Sequence, residues 1–565
     1  MGIFIHLSIS HSVTEQEWAG VYKETLRLVD AFPFAEIART SVRGIDTLCL
    51  VPTRERTKKD NWNPGKTRTG WNTVGDYATQ RLAEDYYLSR DLVSDKRYDA
   101  SAPDAMFSML SEYLGYKWDD PRFQKCYRLW GNKTQGEPYH MFLLAVGCLI
   151  EDRLGPKAVV YGDITRGQCR EAVEMANEYL DQKIAMPARC DPERLFRRVS
   201  TFPLSEAEKL RAFTYLYLGT QDAAFGKKLR TLFSEGAFDE YWRKLFGEAP
   251  VGTGAYISRQ NDYLLWGFDL EKLAGYVDFS GKDGKENYEA YVNYIMDARL
   301  YLKEKDCRDL LEIDPEREQP YDVSRLFAQF IFGGAKNRKV DRYIPLEEIR
   351  TALAHTVGDK CDVNGLIDSY LEKDEEYQRL KNAGFTGATE EELKKAYAHD
   401  ASEVFTEAFE ALTDRLEENR EQYDILDAEA LMQYEPGNTI EPEMDRWLRE
   451  CFAFYDGLCS EEEYKELMQG TAEERCRDLA KRRNNILLRD KDWERIYGDI
   501  LENPESFRRY YSMTRIKLGS DEIARLIKAF VCNDAFYRYV RDAVEAEEDE
   551  LMSKTTARAD DVEDM

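Results

Sequence analysis

At 565 residues, with 43% hydrophobic and 33% charged side chains, the chain has the balance of a multidomain globular protein rather than a disordered one. Its net charge of −28, from 79 basic against 107 acidic residues, opposes phosphate backbones and anionic membranes, so nucleic acid is not an expected partner. No apolar run reaches the roughly 18 residues of a membrane-crossing helix.

The N-terminus has no positive n-region and no cleavage site. The 11 cysteines include no Cys-x-x-Cys pair, and several stand in apolar stretches, as Cys148 and Cys532 do. Reduced, buried thiols in a cytoplasmic protein are the expectation.

In chain order, Ile3, Ile5, Leu7 and Ile9 alternate with Phe4, His6 and Ser8, which predicts a strand with one buried face. Thr14 with Glu17 forms a capping box for a helix over about 15–31. Extended segments over 35–42 and 45–51 flank Arg43-Gly44, a tight-turn pair. Residues 54–72 mix Arg, Lys, Gly and Trp and read as a loop. Helices are expected over about 76–92, 103–115 and 138–154. A short strand at Ala158–Tyr161 then turns at Gly162-Asp163 into a helix over about 166–183, and should join the N-terminal sheet.

Beyond about 205 the pattern is helical. Ser205 and Glu208 form a second capping box, and apolar stripes recur at Leu326–Ile331 and Phe405–Leu416. The expected fold is an α+β N-terminal module, a small mixed sheet with helices, followed by a large mainly α-helical body. Prolines at 187, 192 and 203 and the breaker Tyr434–Asn438 suggest a module over 1–200 and helical domains over 201–434 and 435–545. The acidic end, 546–565, reads as a disordered tail.

Chemistry concentrates in the first 200 residues. Asp163 stands at the end of a buried strand just before a helix, where α/β proteins often place a working carboxylate; the blander role is a cap by Asp163 or Thr165. His140 opens an apolar helix and His6 faces away from its strand's apolar side, so each is a candidate general base. In the basic loop, Trp62, Lys66, Arg68 and Trp71 could bind an anionic or nucleobase ligand by charge and stacking. Gly65-Lys66-Thr67 is not a phosphate-binding loop, because Asp60 stands where its first glycine belongs.

No zinc or calcium spacing is complete, and neither a metal nor a cofactor is expected. The leading expectation is an interaction or regulatory protein that meets protein partners through helical, aromatic-lined surfaces. The alternative is a hydrolase or nucleotide-processing enzyme using Asp163, His140 or His6. A third is anionic-ligand or nucleic-acid binding through the 54–71 segment.

Overall fold

The computed structural model describes residues 2–59, 65, 67–92, 98–117, 120–121, 123, 125–280, 286–305, 314–320, 340–383, 387–389, 391–392, 418–419, 421–428, 430–456, 458–481, 487–514 and 521–563. Trp62, Lys66 and the stripes at 326–331 and 405–416 lie outside these residues. The chain forms two compact units with interleaved sequence. Unit 1 comprises 1–32, 54–71 and 83–410; unit 2 comprises 33–53, 72–82 and 411–565.

Unit 1 is built on strand β1 (Phe4–Ser10), the centre of a three-stranded sheet. Its neighbours are β7 (Cys126–Lys133) and β8 (Ala158–Gly162), both antiparallel to it. Ile3, Ile5, Leu7 and Ile9 are fully buried, as their alternation requires. Helices α1 (Glu15–Ala31), α2 (Tyr139–Leu154) and α3 (Arg166–Tyr179) belong with this sheet. α2 is apolar on all sides because it is enclosed on all sides: Leu143 to Ile150 are buried throughout. It approaches the sheet at Gly147, where a Cβ would stand 2.6 Å from Val160 Cγ2. A 3-10 turn at Ala105–Leu110 packs against β1 and β8.

The helical part of unit 1 begins at α4 (Pro192–Ser200) and runs through Val363–Asn382. Its core is aromatic: Trp242, Trp266, Tyr256 and Tyr263 are all at most 2% exposed. The two expected capping boxes, at Thr14 and Ser205, are both formed.

Unit 2 contains the hairpin of β2 (Phe34–Val42) and β3 (Ile45–Pro52). Its turn holds Arg43 at φ 47° and Gly44 at φ 81°, as a two-residue turn requires. Val42, Ile45, Cys49 and Val51 share a core with Leu448, Trp493, Tyr497 and Phe530 of the C-terminal helices. The helix Asp534–Glu563 carries the acidic end of the chain.

Three expectations are corrected. Much of the 54–72 stretch is strand: β4 (Arg56–Lys59) pairs with the first half of β5 (Thr67–Asp76). Thr69, Trp71 and Thr73 point inward in period 2, a signal hidden by the basic and glycine residues between them. The helix expected over 76–92 is instead a turn and strand β6 (Leu82–Ser89), with Tyr86 and Leu88 buried alternately. Strand pairing in both sheets is antiparallel rather than mixed.

Candidate functional site

The turn from β8 into α3 begins with Gly162 at φ 121°, a backbone state that favours glycine, where a Cβ would lie 2.4 Å from Phe4 O. Asp163 follows and clasps the first residue of β1. Its N–H donates to Phe4 O at 2.9 Å, and its Oδ2 accepts from Phe4 N at 2.8 Å. Burial raises the carboxyl pKa, partly offset by that backbone hydrogen bond. Thr165 caps α3 and forms a reciprocal box with Gln168.

His6 lies on the sheet face opposite Leu7. Its ring stacks on Tyr161 at 4.8 Å and on Phe4 at 5.6 Å, and the Tyr161 hydroxyl meets Ser8 Oγ at 3.2 Å. Burial, then the charge of Arg128, lowers its pKa. His140 belongs to α2, which packs on the Leu7 and Val160 face, so the sheet stands between the two histidines. It is fully buried, with Nδ1 at 2.7 Å from Thr134 Oγ1. Burial pushes its pKa down to about 4, so the ring is neutral. The structure thus places Asp163 on the backbone of Phe4, whose ring stacks on His6, and places His140 against Thr134.

Trp71 is no part of an exposed loop. It is fully buried, its indole N–H donates to Thr25 Oγ1 at 3.3 Å, and its ring meets Trp130 edge-on. Arg68 is exposed on β5, and the strand's alternation turns it away from Trp71.

A concave site that the sequence reading missed lies between α2 and α4. This cleft of about 480 Å³ is lined by Asp104, Glu151 and Asp152 and by Arg194, Arg197 and Arg198, with Ala188 and Pro156 among its apolar walls. The three arginines stand at i, i+3 and i+4 on α4, so one helix face presents all of them.

Every carboxylate in the cleft is already committed. Asp104 takes a bidentate pair from Arg198 at 2.6 and 2.8 Å. Glu151 accepts Arg198 Nη1 at 3.3 Å, Ala188 N–H at 3.1 Å and Val160 N–H at 2.9 Å. Asp152 accepts Arg153 at 2.8 Å and Ala185 N–H at 3.1 Å. Arg194 spends one donor on Met186 O. Arg197 is exposed and makes no hydrogen bond or ion pair among the described residues, although Glu193 on the same helix feels its charge.

The 3-10 turn Ala188–Cys190 ties this cleft to α3, because Ala188 lines the cleft and Cys190 O accepts Arg166 Nε at 3.2 Å. One flank of unit 1 thus carries Arg166, Arg170, Arg194, Arg197 and Arg198 in a chain of strongly negative net charge. The sequence signal was the arginine spacing after the Asp191-Pro192 helix start; the opposing acids are too distant in the chain to be paired by inspection.

Among the described residues, no group of three or more His, Cys, Asp or Glu side chains is placed to hold a metal ion, and no helix is long and apolar enough to cross a membrane. No family model matches the chain, and no match was found among the curated proteins or the solved structures.

Proposed function

We propose that this is an interaction or regulatory protein of the cytoplasm, and that its cleft between α2 and α4 receives an anionic group from a partner or ligand. The observation that carries this reading is the contrast between the cleft's carboxylates, each satisfied within the fold, and the guanidinium of Arg197, which has no hydrogen-bond or ion-pair partner among the described residues. Guanidinium groups suit planar carboxylates and phosphates because their donors form a fixed fork. A volume of about 480 Å³ falls in the range of small-ligand sites. A protein partner is further supported on unit 2, where the helix Pro442–Asp456 exposes Phe454 (63%) beside half-buried Trp447 and Cys451.

Thermal melting tests the reading with inorganic phosphate as probe. The wild-type chain should gain melting temperature with phosphate relative to chloride at equal ionic strength, and Arg197→Glu should lose that gain while melting normally without it. Equal responses from the two proteins would overturn the assignment.

A further inference from the structure

A second feature of the flank, independent of the cleft, concerns what α3 holds. The described segment 314–320, Asp-Pro-Glu-Arg-Glu-Gln-Pro, lies across the first two turns of that helix. Its backbone is received at every second residue. Pro315 O accepts Gly167 N–H at 2.9 Å, Arg317 O accepts the Thr165 hydroxyl, and Gln319 O accepts Gln168 Nε2 at 2.9 Å.

The intervening side chains are read as charges. Glu316 is gripped by Arg166 at 2.6 Å and Arg170 at 2.7 Å, and Glu318 by Arg170 at 2.7 Å. The segment is turned rather than extended: Asp314 O accepts Arg317 N–H at 3.2 Å and Asp314 Oδ1 accepts Glu316 N–H at 2.9 Å, so the turn and its exit offer α3 three carbonyls and two carboxylates together.

Gly167 makes this approach possible. A Cβ there would stand 2.1 Å from Glu316 O and 2.4 Å from its carbonyl carbon, so the segment would have to move away. Gly167 lies in a helical first turn, where another residue would serve the helix better. The local need for glycine is the passing segment.

The contact is also built to exchange. The side chains of Arg166, Arg170, Glu316 and Glu318 remain 36–52% exposed. In the cleft, by contrast, Arg198, Asp104 and Glu151 are 11%, 5% and 3% exposed. Exposed ion pairs of this kind are individually weak and are held here by tethering, while the buried set is a permanent part of the fold.

We propose that the α3 face formed by Thr165, Arg166, Gly167, Gln168 and Arg170 is a recognition site for an acidic peptide that takes the turn of residues 314–317 and carries carboxylates two residues apart. Segment 314–320 occupies it as an internal ligand. A partner carrying Glu-x-Glu behind an Asp-Pro turn competes with that segment, so the free site is available only when the segment is displaced. Because the segment belongs to the same chain, it competes as an intramolecular ligand, and that sets the barrier an outside peptide must overcome.

The test uses the full chain and a fluorescein-labelled peptide with the sequence of residues 314–320, followed by anisotropy. Glu316→Ala with Glu318→Ala should bind the peptide roughly tenfold or more tighter than wild type, because the internal competitor is weakened. Adding Arg170→Glu to that pair should abolish binding, and a peptide with both glutamates replaced by glutamine should bind neither protein. Equal binding by the double variant and wild type, or equal binding of the glutamine peptide, would overturn the proposal.

Gly167→Ala gives a second readout. It should speed tryptic cleavage after Arg317 about tenfold by ejecting the segment, with far-ultraviolet circular dichroism unchanged. A cleavage rate equal to wild type would show that the backbone reading is wrong. None of these results depends on Arg197, so they stand or fall separately from the cleft assignment.

Discussion

Arg198 and Asp104 meet in a two-point pair, Nε to Oδ2 at 2.8 Å and Nη2 to Oδ1 at 2.6 Å, across 94 residues of chain. Arg198 also reaches Glu151, whose other bonds hold the backbone of Val160 and Ala188. One guanidinium therefore ties the N-cap of the 3-10 turn Ala105–Leu110, the end of α2, strand β8 and α4 into one frame.

Removing that guanidinium leaves two buried carboxylates without their counter-charge. Arg198→Ala should cost about 3–5 kcal/mol in urea unfolding, the range for breaking one partner of a buried ionic set. A loss below about 1 kcal/mol would mean the network is solvated in solution, contrary to its burial.

Gly162 sits where the chain leaves β8, at φ 121° and with Phe4 O in the path of any Cβ. Gly162→Ala should therefore destabilise unit 1 by roughly 1–3 kcal/mol or more through backbone strain and the displaced Asp163 clasp. Denaturation midpoints compared with Gly44→Ala, which meets no neighbouring atom, separate the collision from the dihedral effect.

Two groups of unit 1, the fully buried His140 and the partly buried Asp297, give opposite pH slopes. Burial lifts the Asp297 carboxyl to about 6, with Tyr370 and Arg299 opposing. Its raised value means the folded state holds the proton more tightly, so stability falls as pH rises from about 4 to 6. His140 is depressed to about 4 by burial, so the unfolded state takes the proton first and stability falls as pH drops from about 6.5 to 4.

Each effect is on the order of 3 kcal/mol at most. The two largely offset between pH 4 and 6. Asp297→Asn should expose the His140 slope, with stability rising with pH, and His140→Gln should expose the falling slope. Stability measured by urea unfolding at pH 4.5, 5.5 and 6.5 checks both. The same slope in all three proteins would contradict the burial of either side chain.

The local rules that rest on a few adjacent residues were legible. The alternation of Ile3 to Ile9, the boxes Thr14–Glu17 and Ser205–Glu208, and the Arg43-Gly44 turn all stand where the sequence puts them. β5 was not, because Arg68 and Gly70 masked the inward Thr69, Trp71 and Thr73, and a composition argument overrode a periodicity argument.

Partnerships across long chain distances left no local trace. Thr47 Oγ1 meets the Tyr497 hydroxyl at 3.1 Å, 450 residues away, and no pattern in either neighbourhood announces it. The cleft left no local trace for the same reason. The arginine face of α4 could be read, but the acids that fill or frame it come from residues 104, 151 and 152, and those that α3 grips come from 316 and 318.

Arg197 of the cleft, without a partner among the described residues, is proposed to receive an anion. Soaking crystals with selenate, a tetrahedral oxyanion visible by anomalous scattering, tests it most directly. The account predicts an anomalous peak within hydrogen-bonding reach of Arg197 that disappears in Arg197→Glu crystals. Selenate bound elsewhere with the cleft empty would contradict it.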